Sequence, residues 1–181
     1  MKRAFRIVSI IIIISFMFIL YGCAEPNYDF RSLNWGMSIK DVKAKEKAPL
    51  INEEAGLLTY EIEIASVPLN VQYRFEEGKL YGLLFDSNDM NDAEIDSNEV
   101  KAQYDSLFEE FSGLYGTPIN YEDNTLSFSI FGTINIKTIW QSERSEIQLW
   151  LIGTNWFTRY YGIIMPRDGG LKQELEALLP S

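Results

Sequence analysis

Few side chains in these 181 residues can carry chemistry: the chain holds one cysteine, Cys23, and no histidine. Without histidine there is no Ser-His-Asp or Cys-His nucleophile, and with a single thiol the usual His and Cys zinc sites are closed too. Carboxylate acid–base chemistry, a Ser-Lys pair such as Ser38 with Lys40, and oxygen-ligated calcium or magnesium stay open. Six carboxylates fall between Asp86 and Glu99, but no register starting at Asp86 or Asp92 supplies the turn glycine and terminal glutamate of an EF-hand loop. They read as a solvated acidic loop, with Asp96 and Glu99 placed as a capping box for the helix that follows. The sequence calls for no metal and no cofactor, and it offers no catalytic residue that spacing singles out.

Cys23 has a more specific setting. Lys2, Arg3 and Arg6 form a basic start, Ile7 to Tyr21 an apolar run of 15 residues, and Leu20-Tyr21-Gly22-Cys23 closes it. The pattern resembles bacterial lipoprotein signal peptides, in which the cysteine receives a diacylglyceryl group and the peptide is cut just before it. Tyr21 departs from the family pattern, which usually has a small residue there. The resemblance implies a signal peptide over 1–22, lipidation at Cys23, and a domain anchored to a bacterial membrane but lying outside the cytoplasm, on the extracytoplasmic face or in a periplasm. An uncleaved transmembrane anchor is the alternative, since Ile7 to Ala24 is 18 residues without a charge.

Cleavage would remove three of the 16 basic residues and none of the 26 acidic ones, leaving a net charge of −13. That balance disfavours both phosphate-neutralising nucleic-acid binding and lying flat on anionic lipid. Contact with the membrane therefore falls to the lipid on Cys23. No internal disulfide is available, so packing must stabilise the fold.

Residues 23–33 carry Pro26, Asn27 and Asp29 with little periodicity and read as a tether; 34–181 form one domain. Ser38, with Asp41 three residues on, predicts a helix over Ile39 to Lys47, ended by Pro49. Period-2 alternation then predicts strands at Leu58–Ile64 and Val67–Phe75, with Pro68 marking an edge or a strand start. The turn Glu76-Glu77-Gly78-Lys79 leads to a third strand, Leu80–Phe85. Val100, Tyr104, Leu107, Phe108, Phe111, Leu114 and Tyr115 form one helical face, ended by Gly116 and Pro118. Beyond it, Phe128–Phe131 and Ile134–Trp140 flank a Gly132-Thr133 hairpin turn, followed by strands at Glu146–Ile152 and Thr158–Met165. Leu171, Leu175, Leu178 and Leu179 mark a terminal helix. The order predicts an α+β fold, an antiparallel sheet with helices packed on one face, divisible into two helix-plus-strands halves.

Trp35-Gly36-Met37-Ser38 with Asp41, Val42 and Glu46, then Tyr73-Arg74-Phe75, Gly78-Lys79-Leu80 and Tyr115-Gly116-Thr117-Pro118, resemble a group of uncharacterised bacterial lipoproteins. More distantly, Gly36-Met37-Ser38 and Val42 look like the helix start of assembly lipoproteins of the BamE type and of β-lactamase-inhibitor-like folds. The chain lacks the Leu-Gly-x-Pro ending of the first and the cysteines of the second. The resemblance implies a helix-and-sheet binding scaffold without catalytic residues.

These readings converge on a lipid-anchored, non-enzymatic binding or assembly module for another envelope protein. Trp140, Trp150, Trp156 and Tyr160, clustered in the last strands, are the candidate interface. Two alternatives stand beside it: a hydrolase using paired carboxylates or a Ser-Lys pair, and a small-molecule or ion receptor beside a transporter.

Overall fold

A computed structural model describes residues 28–87, 97–125, 133–154 and 158–167. Among these, helix α1 spans Ile39–Lys45 and is followed by strands β1 (Leu50–Glu54), β2 (Leu57–Ile64), β3 (Val67–Glu76) and β4 (Lys79–Asp86). Helix α2 spans Ser97–Tyr115 and precedes β5 (Asn120–Asp123), β6 (Thr133–Gln141), β7 (Ser145–Thr154) and β8 (Thr158–Pro166). All eight strands join one antiparallel sheet in the order β1-β2-β3-β4-β8-β7-β6-β5. Each run of four strands is a meander, and the two meet where β4 pairs with β8. Strand accounts for 53% of the described residues and helix for 22%, so the fold is sheet-dominated and fits an α+β description only in its coarse outline.

Alternation along the strands explains the main core. Tyr60, Tyr73, Leu83, Phe85, Ile147, Leu149, Tyr160 and Ile164 are buried in one cluster with Val42 of α1 and Val100, Tyr104, Leu107 and Phe111 of α2. Both helices thus contribute buried apolar residues to the same core. Trp140 is fully buried, with its ring 5.5 Å from Phe108 and 5.8 Å from Phe111. Neighbouring residues of β8 face the other way: Ile163 and Met165 are 1% and 2% exposed and pack with Tyr81 and Leu84 in a second, smaller cluster.

The helix ends follow the sequence closely. Ser38 Oγ accepts the Asp41 N–H at 3.2 Å and donates to the Asp41 carboxylate at 2.7 Å, a contact of the kind that contributes about 1 kcal/mol. The helix stops two residues short of the expected Lys47, because Glu46 turns extended and its backbone N–H closes on the Val42 carbonyl. At the end of α2, Gly116 takes φ +83° and donates to the Ser112 carbonyl at 3.0 Å. Pro68 is a strand start rather than an edge: β3 lies inside the sheet and meets β4 only from Gln72 onward.

Two strands escape the alternation rule. β1 and β5 are the sheet edges, and residues exposed on both faces leave no period-2 signal. Thr133, expected in a Gly132-Thr133 turn, is instead the first residue of β6 and pairs with Thr154 of β7. The expected strand Phe128–Phe131, the terminal-helix leucines, Asp96 and Cys23 lie outside the described residues.

Candidate functional site

The chain enters the domain through residues expected to be tether. Asp29, Phe30 and Leu33 are buried, and Phe30 and Leu33 close a short turn through Leu33 N–H to the Phe30 carbonyl at 2.9 Å. Packing therefore starts by Asp29, ahead of the Asn34 boundary read from the sequence. Asp29 Oδ2 accepts from the Trp35 backbone N–H at 2.8 Å and pairs with Arg144 at 2.9 Å. Trp35 Nε1 in turn donates to Ser145 Oγ at 3.0 Å. One buried carboxylate thus clasps the incoming chain to the turn between β6 and β7.

A second buried carboxylate, Glu46, fixes the end of α1. Its Oε1 accepts the Lys47 and Ala48 N–H groups at 2.8 and 2.9 Å and faces Arg31 at 3.4 Å, while Oε2 accepts the Tyr73 hydroxyl at 2.7 Å. Burial acts to raise its pKa, yet the Ala48 N–H, the Tyr73 hydroxyl, Arg31 and the Lys47 N–H together hold it below the ordinary 4.5. Tyr73 moves the opposite way, raised by burial first and then by the Glu46 charge, so it remains a protonated donor.

Beside these anchors the surface opens into two adjoining hollows of about 370 and 530 Å³ that share Ala65, Glu110 and Leu114. The larger has an apolar floor of Phe30, Ile64, Phe111 and Tyr115, with Tyr28, Arg31 and Glu63 at its mouth. The smaller runs along α2 past Ser106, Glu109 and Gly113. Together they form a groove between the outer flank of α2, the β2–β3 turn and the incoming chain, within the size range of ligand clefts. Leu114 is 63% exposed and Tyr28 40% exposed, both inside this groove. The Tyr115 hydroxyl is pushed up to about 12, by burial first and then by the Asp29 charge, and stays protonated at physiological pH.

Three local choices around the groove are unfavourable for folding. Ala65 and Ser66 hold φ values of 51° and 62°, left-handed positions that cost a residue with a Cβ about 1 kcal/mol or more each. Gly113 sits inside α2, where glycine costs about 0.5–1 kcal/mol relative to alanine. An added Cβ there would meet nothing within 4 Å, so packing does not demand it. Gly113→Ala should accordingly raise Tm by about 1–4 °C in a thermal melt.

Two of the four aromatic residues proposed from sequence as an interface belong to the core instead. Trp140 and Tyr160 are fully buried, because their strand positions share the helix-packed face. Trp150 lies half-buried on the opposite face, with Lys137 Nζ 4.2 Å from its ring centre and its indole N–H donating to Gln148 at 3.3 Å. Trp156 lies outside the described residues. Ser38 is a helix cap, its hydroxyl bound to Asp41. Among the described residues no three Asp, Glu, Cys or His side chains group as a metal site, and no helix is long and apolar enough to cross a membrane.

The groove is barely legible in the sequence, because its lining runs from Tyr28 to Ser142, 114 positions apart. The one available signal was Leu114, at the margin of the α2 apolar stripe, where helical drift carries a residue out of the core. No family model matches the chain, and neither the curated proteins nor the solved structures yield a match.

Proposed function

We propose that this chain is a lipid-anchored, non-enzymatic binding module of the bacterial envelope, held to the membrane through Cys23 and presenting the groove along α2 to another envelope protein. The observation that carries the reading is the exposed apolar lining of that groove, Leu114 and Tyr28 above a floor of Phe30, Ile64 and Phe111. Exposed apolar lining in a concave surface marks interaction sites on soluble domains. The groove also lies near the anchor. Tyr28 is five residues from Cys23, at most about 18 Å of extended chain. A partner in the same membrane would meet this end of the domain first.

The two meanders, each preceded by a helix, support a reading as two halves of one scaffold. The buried carboxylates support a structural role over an acid–base one: Glu46 is held below its ordinary range by four partners, and Asp29 is bound to Arg144 and a backbone N–H. A general acid at neutral pH needs the opposite shift.

Leu114→Arg tests the reading. Its exposure predicts a change in Tm within about 2 °C, since surface substitutions stay near ±0.5 kcal/mol. Crosslinked membranes should yield a stoichiometric protein partner with the native chain and lose it with L114R. Recovery of the same partner by L114R at full yield would contradict the groove as the binding face.

A further inference from the structure

We infer that the groove along α2 takes a protein segment in which apolar side chains are flanked by lysine or arginine, an inference that rests on the groove being the binding face. Both arginines near the groove already have buried partners, Arg31 with Glu46 at 3.4 Å and Arg144 with Asp29 at 2.9 Å, and Lys45, its Nζ 5.7 Å from the Tyr28 ring centre, is one cation at the mouth without an ion pair among the described residues. Glu63, Glu109 and Glu110 line the hollows and make no ion pair among the described residues. The groove therefore couples an apolar floor to a rim on which three carboxylates outnumber the one lysine, and complementary charge on a partner sets register and suppresses wrong partners.

Left-handed Ala65 and Ser66 hold the β2–β3 turn at the lip, and Gly113 keeps the α2 wall bare where a methyl group would meet nothing. The left-handed pair is what the two-residue β2–β3 hairpin between Ile64 and Val67 requires, so of these residues only Gly113 lacks a packing reason. A second copy of the chain is a poor occupant, because each carries the same acidic surface and a net charge of −10.

The test uses the full chain purified in a neutral detergent and a fluorescent peptide, Lys-Lys-Leu-Val-Lys-Lys, with Glu-Glu-Leu-Val-Glu-Glu and Lys-Lys-Ser-Thr-Lys-Lys as comparators. Anisotropy titration should show the Lys-Leu-Val peptide binding at least about tenfold tighter than either comparator. The triple variant E63Q/E109Q/E110Q should weaken it about tenfold, the sum of three partly exposed charge pairs. The control E53Q/E54Q/E122Q, on the sheet edges, should leave it unchanged. Equal weakening by both triples would overturn the inference, since it would mean attraction to the general acidic field; so would preference for the acidic peptide. If L114R abolishes partner recovery while E63Q/E109Q/E110Q leaves it intact, the charge inference fails and the groove stands. If neither variant changes recovery, both fail.

Discussion

Replacing Glu46 by alanine should lower stability by about 3 kcal/mol and Tm by about 10 °C, measured by denaturant and thermal unfolding. The side chain is 2% exposed and has four partners, so its loss strands the Tyr73 hydroxyl, frees the Lys47 and Ala48 N–H groups and releases Arg31. Arg31 is 39% exposed and can rehydrate, which keeps the effect at the lower end for a broken buried pair. Glu46→Gln keeps the shape and an acceptor for the two N–H groups, so it should cost about half as much. The pH dependence has a defined sign. A carboxylate whose folded pKa lies below its unfolded 4.5 contributes fully above that value, and the contribution is lost as pH falls through the folded pKa. The native chain should therefore lose stability more steeply than E46Q below about pH 4.5. Parallel acid limbs for the two proteins would remove Glu46 from the account.

Gly162→Ala should cost about 3 kcal/mol, at the upper end for overpacking, and for a reason visible only across strands. Gly162 of β8 pairs with Phe85 of β4, and the Phe85 ring lies where a Cβ would stand. Phe85 is itself 2% exposed with its ring 6.3 Å from Phe111, so it has no free space to retreat into. Phe85→Leu alone should also destabilise, but in the double variant the smaller side chain relieves the clash. The two changes should therefore combine to at least about 1 kcal/mol less than their sum. Simple additivity would mean that the ring does not dictate the glycine.

Elements with one buried face were readable from sequence, and those without were not. Tyr60, Tyr73 and Leu149 sit in alternating runs because the helices cover one side of their strands, and α2 announced itself by the spacing of Val100, Tyr104, Leu107 and Phe111. The edges β1 and β5 carry no such imprint, since both their faces meet solvent. The aromatic cluster misled for the same reason that the core was legible: Trp140 and Tyr160 are large because they fill the space beneath α2, with Trp140 donating to Ser112 and Tyr160 to Gln103. The groove was legible in one residue only, Leu114. Its walls come from the incoming chain, a hairpin turn and a helix flank, and only the fold brings Tyr28, Ala65 and Leu114 together.

The buried carboxylates connect this architecture to the proposed role. Asp29 and Glu46 secure the first described residues and the end of α1 to the sheet on one side of the groove, so the floor beneath Leu114 is fixed before any partner arrives. A rigid floor lowers the ordering cost of binding.

Site-specific photocrosslinking in intact cells tests the central claim most directly. A benzophenone amino acid placed at Leu114 should give one dominant adduct with a second protein, whereas the same group at Glu54 on the exposed β1 edge should not. Equal adducts from both positions, or none from Leu114 while Glu54 captures a partner, would contradict the groove as the face this domain offers.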